Sequence, residues 1–149
     1  HEVLLTLRPQ LKKTQVEILL EVDEHIVIKS YPGAYYHIIS NLITNSLEHA
    51  FKDGKGIIKM QIYIEKEQVK IHYDDNGKGM NEEARKKIFE PFYTTGRSSG
   101  GTGLGLYTTY NVVTQKLLGE IDVATQEGVG TTFILTLPLH LNKIEGAVH

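Results

Sequence analysis

Asn41 and Asn45 stand four apart in SNLITNSLEHA, inside a stretch whose apolar residues recur at helical spacing. At about 100° per residue they share a helix face with His37 and Glu48, and His49 lies about 40° beyond that stripe. Asparagine is a poor helix former that competes with the backbone for hydrogen bonds. A solvated stripe would be expected to carry Lys and Glu instead, so two asparagines four apart suggest a bound partner. A second candidate is Asp75 in DDNGKGM, a carboxylate at a strand end followed by Gly77 and Gly79, where the backbone can wrap closely around a flat ligand. A carboxylate accepts hydrogen bonds and adenine's exocyclic amine donates them. Guanine presents a carbonyl oxygen at that place, so such a site would separate ATP from GTP. The same letters also suit a hairpin turn, and both readings stand at this level. A third candidate is the run of Gly100, Gly101, Gly103 and Gly105 ahead of an apolar-periodic segment. Glycine costs a helix roughly 1 kcal/mol relative to alanine, so these residues serve close backbone approach or flexibility. A helix start offers unpaired N–H groups and the positive end of the macrodipole to a phosphate, while an ordinary flexible loop has the same composition.

The elements that must position these residues follow from periodicity. Residues 2–13 have the spacing of the end of a connecting helix. Thr14–Val22 and Ile26–Lys29 read as short strands. Tyr31-Pro32-Gly33 opens a helix reaching about Phe51, with Tyr35, Ile38, Ile39, Leu42 and Ile43 on its core face. Lys52–Lys55 reads as a turn, and Asp53-Gly54-Lys55-Gly56, despite letters similar to DxGxG, as just a turn. Ile57–Glu65 and Val69–Tyr73 alternate like a hairpin, and Asn81 caps a short helix through Ile88. A helix begins at Thr102 with Leu106, Tyr110, Val113 and Leu117 on one face and stops at Gly119. A last hairpin pairs Ile121–Thr125 with Thr131–Leu139.

Composition narrows the function. The 149 residues fit one domain, divided as a linker over 1–13, a domain over 14–140 and a tail over 141–149. With 16 Lys+Arg against 18 Asp+Glu, the net charge of −2 gives no electrostatic reason for a nucleic-acid or membrane partner. No apolar run approaches the ~20 residues of a membrane span, which predicts a soluble fragment. Zero cysteines remove disulfides, thiolate metal sites and a cysteine nucleophile. A first residue of His1 suggests a piece of a longer protein. There is no GxxxxGK[ST] and no HExxH.

The parts come in the order Asn-xxx-Asn, DxGxG, FxPF, GxGxG, GxGTxF. In that order the chain resembles the ATP-binding catalytic domain of sensor histidine kinases, in the gyrase, heat-shock chaperone, histidine kinase and mismatch-repair ATPase superfamily. The likeness spans almost the whole chain: SNLITNSLEHA is similar to the asparagine box, DDNGKGM and GGTGLGL to the glycine boxes, FEPF to the phenylalanine box and GVGTTF to the last box. The resemblance implies an α/β two-layer sandwich of a mixed sheet with helices on one face. It implies that Asn45 coordinates the Mg²⁺ bridging the phosphates of ATP, with Asn41 nearby and His49 beside them as catalytic positions. Asp75 would bind the adenine amine, and Gly77, Lys78, Gly79 and Met80 would shape the pocket. Phe89 and Phe92 would anchor a lid carrying Thr95 and Arg97. Gly101, Thr102, Gly103, Leu104, Gly105 and Leu106 would close on the phosphates, and Thr131 or Thr132 would back the adenine pocket.

Hydrolytic relatives place a glutamate general base where this chain has Asn41, which takes no proton, so the expected phosphoryl acceptor is a histidine on a separate dimerisation domain. The implied partners are that phosphoacceptor domain and a response regulator, within a homodimeric parent. The fragment would be cytoplasmic, and the parent could be anchored in the inner membrane. One departure is Glu48-His49, where many sensor kinases have Lys-Tyr or Lys-His. Lys78, Arg97 or His49 is left to supply the phosphate-facing cation. The alternative is a nucleotide-sensing or hydrolytic clamp module without transfer to histidine.

Overall fold

The computed structural model describes residues 15–22, 32–51, 53–91 and 105–139. Five strands form one mixed sheet: β1 (Gln15–Val22), β2 (Lys55–Glu65), β3 (Gln68–Asp75), β4 (Glu120–Gln126) and β5 (Gly130–Pro138), in the spatial order β1-β2-β3-β5-β4. β1 runs parallel to β2 and every other pair is antiparallel. The helices are α1 (Pro32–Asn45), α2 (Glu82–Lys87) and α3 (Gly105–Asn111). α1 and α3 each end in a wider π-helical turn, Ser46–Ala50 and Val112–Lys116.

Strand alternation decides which face the helices cover. Val69, Ile71, Tyr73 and Asp75 of β3 and Thr131, Phe133, Leu135 and Leu137 of β5 are buried, while their neighbours in sequence are partly exposed. Ile38, Leu42 and Ile43 of α1 and Val113 and Leu117 beyond α3 meet that face with no exposed surface. Burial of each such side chain stabilises by about 1.5–3 kcal/mol. Tyr35 and Ile39 pack at the margin of the same core.

The helix beginning at Pro32 reaches Ala50, but its last turn is π-helical, a local irregularity that periodicity does not disclose. Asn81 caps α2 as expected, its side chain accepting from the Ala84 N–H at 2.8 Å. Tyr110 departs from the predicted core face of α3. It is 39% exposed and lies against Phe89, ring centroids 5.2 Å apart.

The predicted turn Asp53–Gly56 proves to be a turn only at Asp53 and Gly54, because Lys55 already pairs with Gln15 in β1 and β2. Gly56 has its own reason: a Cβ there would stand 2.1 Å from the Phe51 ring. The strand expected at 26–29, the helix expected over 2–13 and the tail lie outside the described residues. Among the described residues, no helix is long and apolar enough to cross a membrane.

Candidate functional site

The second half of α1, the segment following β3 and the β4–β5 turn converge at one end of the sheet. Gly77, Lys78 and Gly79 are threaded tightly between the other two pieces. Lys78 donates its N–H to the Ala50 carbonyl (2.9 Å) and accepts from Gly128 N (2.7 Å), and Met80 N donates to Thr125 Oγ1 (2.8 Å). A Cβ on Gly77 would stand 2.5 Å from the Ala50 carbonyl oxygen, and one on Gly79 would stand 2.0 Å from that of Gln126. Gly79 also has φ +70°, so glycine is required there twice over. The DxGxG segment is therefore a packed connection, and the hairpin-turn alternative does not apply, since β3 pairs next with β5.

Asp75 ends β3 pointing to the helix side and is almost fully buried. Its Oδ1 accepts from Gly77 N (3.0 Å), its Oδ2 from Ser46 Oγ (2.9 Å), and the Thr131 backbone N–H also reaches the carboxylate. Burial nevertheless pushes its pKa up, against those three donors, with Asp74 adding slightly in the same direction. A carboxylate offers about four acceptor positions, so three internal donors leave one for a ligand.

The two asparagines of the stripe are treated differently by the fold. Asn41 Nδ2 lies 2.9 Å from His37 Nε2, 3.2 Å from Thr109 Oγ1 and 3.3 Å from the Gly105 carbonyl. Thr109 Oγ1 in turn donates to Gly105 O at 2.9 Å. Asn41 thus ties α1 to the first turn of α3. Asn45, one turn later and partly exposed, makes no side-chain hydrogen bond among the described residues. A half-buried amide left unspent at the centre of a polar stripe is available to a ligand or a metal ion.

His49 lies next along the helix, Nε2 3.6 Å from Glu48 Oε2, while its buried Nδ1 has no partner among the described residues. Burial lowers the pKa of the imidazole, Glu48 opposes this and Lys78 adds to it, so the neutral ring is favoured.

Two expected contacts are relocated. Thr132 sits on the opposite face of the sheet from the Asp75 carboxylate, its hydroxyl bonded to Asp74. Thr131 is the residue on Asp75's side, its hydroxyl 3.0 Å from that of Thr125. The signal was present in the strand itself, because Phe133, Leu135 and Leu137 fix the parity that sends Thr131 inward. Leu106 turns its side chain into the core, which removes it as a side-chain contact. Ser46 and Tyr73 were not singled out by sequence at all, since their link to Asp75 crosses from helix to strand. Phe92, Thr95, Arg97, Gly101, Thr102, Gly103 and Leu104 lie outside the described residues. A groove of about 560 Å³ runs past Asp74, Asp75, Thr131 and Thr132, but neither Asn41 nor Asn45 lines it.

Residues 31–141 match the model of the histidine kinase-, DNA gyrase B- and HSP90-like ATPase family. Sporulation kinase E of Bacillus subtilis is 34% identical over 142 residues, 95% of this chain and 19% of that protein. A probable C4-dicarboxylate sensor kinase of Halalkalibacterium halodurans is 33% identical over 134 residues, 85% of this chain and 24% of that one. The chain thus spans about a fifth to a quarter of these relatives. Among solved structures, the catalytic domain of histidine kinase ThkA superposes with a TM-score of 0.82 at 26% identity, covering 95% of this chain and 91% of that one. The five-stranded mixed sheet with its helices is the fold of histidine kinase catalytic domains. With the matched segment covering the sheet from β2 onward, α1 and the glycine-bearing connections together, the chain belongs to the histidine kinase-, DNA gyrase B- and HSP90-like ATPase family.

Proposed function

We propose that this chain binds Mg·ATP and presents the γ-phosphoryl group to a histidine on a separate phosphoacceptor domain, as the catalytic module of a two-component sensor kinase. The observation that carries the reading is the Asp75 carboxylate, held by three internal donors with one acceptor position left over, near the end of a helix whose Asn45 amide is unspent. Asp75 accepts the adenine amine. Among the described residues no group of three or more His, Asp or Glu side chains could cage a metal. Mg²⁺ would fit here because it usually keeps several waters and takes few protein ligands beside substrate phosphates, and the Asn45 side-chain amide oxygen would supply a protein ligand. When bound, the ion neutralises charge on the phosphates.

Transfer breaks the bond between the γ-phosphorus and the bridging oxygen, which leaves with ADP, and forms a phosphorus–nitrogen bond to the acceptor imidazole, whose N–H proton passes to solvent. The chain's own residues bind and orient the nucleotide. Asn41 takes no proton and already bridges α1 and α3, so no base for water stands at that position. Because burial keeps His49 neutral, Lys78, whose backbone is pinned on both sides, is the better cation for the phosphates among the described candidates.

The direct test mixes this chain with the matching dimerisation domain and γ-labelled ATP. Acid-labile phosphohistidine should form on the added domain, and without it little label should be released. Rapid ATP turnover by the chain alone would instead favour a hydrolytic clamp, and Mg·ATP binding with neither transfer nor turnover would favour a nucleotide sensor. The response regulator, a homodimeric parent and its membrane attachment belong to the same proposal. ThkA supports the first of these by likeness of fold, having been solved in complex with the response regulator protein TrrA.

A further inference from the structure

One of the three donors to Asp75 is a side chain whose own geometry is set by another. Ser46 Oγ stands 2.9 Å from Asp75 Oδ2, and Tyr73 Oη stands 2.7 Å from Ser46 Oγ and 3.0 Å from the Leu42 carbonyl. Ser46 and Tyr73 are fully buried. A serine has one proton to give, and on a helix its hydroxyl commonly turns back to the carbonyl four residues earlier. For Ser46 that carbonyl belongs to Leu42, and the Tyr73 hydroxyl stands between them within reach of both. The backward turn is thereby blocked, Ser46 accepts from Tyr73, and its proton is left for the charged acceptor, the stronger of the choices.

We infer that Tyr73 and Ser46 are a positioning pair that fixes the direction of Asp75's one free acceptor position and so sets how strictly the chain selects an exocyclic amine on the purine. This rests on the reading of Asp75 as the adenine-amine acceptor. Neither residue touches the nucleotide. Both act by removing the freedom of the carboxylate to rotate toward other donors.

The experiment measures, by calorimetry on this chain, the ratio of affinities for ATP and for inosine triphosphate, whose ring carries a carbonyl oxygen in place of the amine. Ser46→Ala and Tyr73→Phe are each compared with the wild-type chain. Tyr73→Phe keeps the ring beside Phe133, at 6.3 Å between centroids, and removes only the hydroxyl. Each variant should lower the ATP preference about threefold to tenfold, the scale of one hydrogen bond's net contribution. The double variant should lose no more than Ser46→Ala alone, because Tyr73 acts through Ser46. A general loosening of the fold weakens both nucleotides together and leaves the ratio alone. If both single variants keep the wild-type ratio while Asp75→Asn collapses it, the positioning pair is refuted and the Asp75 reading survives. If Asp75→Asn also keeps the ratio, the Asp75 reading itself falls and the inference falls with it.

Discussion

Asn41 and Asn45 have the same chemistry and nearly the same place on α1, yet only one of them is used by the fold. Asn41 is spent on His37, Gly105 and Thr109, and Asn45 has no such partner among the described residues. Asn45→Ala should therefore leave the thermal stability of the nucleotide-free chain within about 0.5 kcal/mol, the range of a substitution that breaks no contact. It should abolish the dependence of ATP affinity on Mg²⁺, and calorimetry with and without the ion checks this. A variant that still responds to Mg²⁺ would remove Asn45 as its ligand.

Asp75→Asn separates binding from stability in the opposite way. Burial raises the folded-state pKa of Asp75 above its unfolded value. The contribution of the protonated carboxyl to stability is thus fully present below the unfolded pKa and is lost as pH rises through the folded pKa. At neutral pH the nucleotide-free domain bears the cost of a buried charge. Asp75→Asn should weaken ATP binding by about 1.5–3 kcal/mol, the range for a hydrogen bond to a charged group. The same change should favour stability more at pH 7 than at pH 4, as read by thermal unfolding at both. A larger loss of stability at pH 7 than at pH 4 would show that the internal donors outweigh burial. The place of Asp75 at the end of a strand was legible in the sequence from the alternation that precedes it, although Asp53-Gly54-Lys55-Gly56 carries similar letters in a mere turn. Ser46 was not, because a serine at the end of a helix has many.

At the level of elements, the segment after β3 can be tested by a pair of glycines with almost the same backbone. Gly54 has φ +72° with nothing within 4 Å of where a Cβ would stand, whereas Gly79 has φ +70° with the Gln126 carbonyl oxygen 2.0 Å from that position. Gly54→Ala should cost only the left-handed backbone, about 1–2 kcal/mol. Gly79→Ala adds a collision between two backbones and should cost well beyond that, with loss of ATP binding because the contact between Lys78 and Gly128 of the β4–β5 turn must open. Denaturant unfolding of the two variants gives the comparison, and equal losses would mean that the connection is looser than its hydrogen bonds imply.

The helices were legible where they repeat apolar residues, and Asn81 was legible as a cap. The π-helical endings of α1 and α3 were not, because they depend on how the last turn meets the sheet. Asn41 shows the same limit. Its position on a polar stripe is a sequence property, but its partners Gly105 and Thr109 lie 64 and 68 residues away. Asn41→Ala should speed amide exchange in the first turn of α3 while leaving the strands unchanged, and uniform exchange across both would remove its role as a tie.

Across the whole molecule, the sheet order was the least legible property. Antiparallel hairpins can be read from neighbouring alternation, but the placement of β5 between β3 and β4 is a long-range pairing. That pairing sets Asp75 opposite Thr131 and turns the last strand's parity into a statement about the site. If Asp75 holds the base as proposed, nucleotide contacts reach the α1–β3 junction and the sheet through it, with the β4–β5 turn packed alongside, so occupancy should be felt by the cooperative unit as a whole. A ligand at about 100 times its dissociation constant stabilises by roughly 2.7 kcal/mol, which for a chain of this length raises the melting temperature by roughly 5–10 °C. Mg·ATP should produce that shift, ATP with a chelator a smaller one, and GTP at the same concentration almost none, since on the proposed reading its ring would offer a carbonyl where Asp75 needs a donor. In Asn45→Ala the first two conditions should become equal, and in Asp75→Asn the gap between ATP and GTP should narrow. If GTP stabilised the wild-type chain as much as ATP, the base would not be read at Asp75, and the site would have to be rebuilt around the phosphates alone.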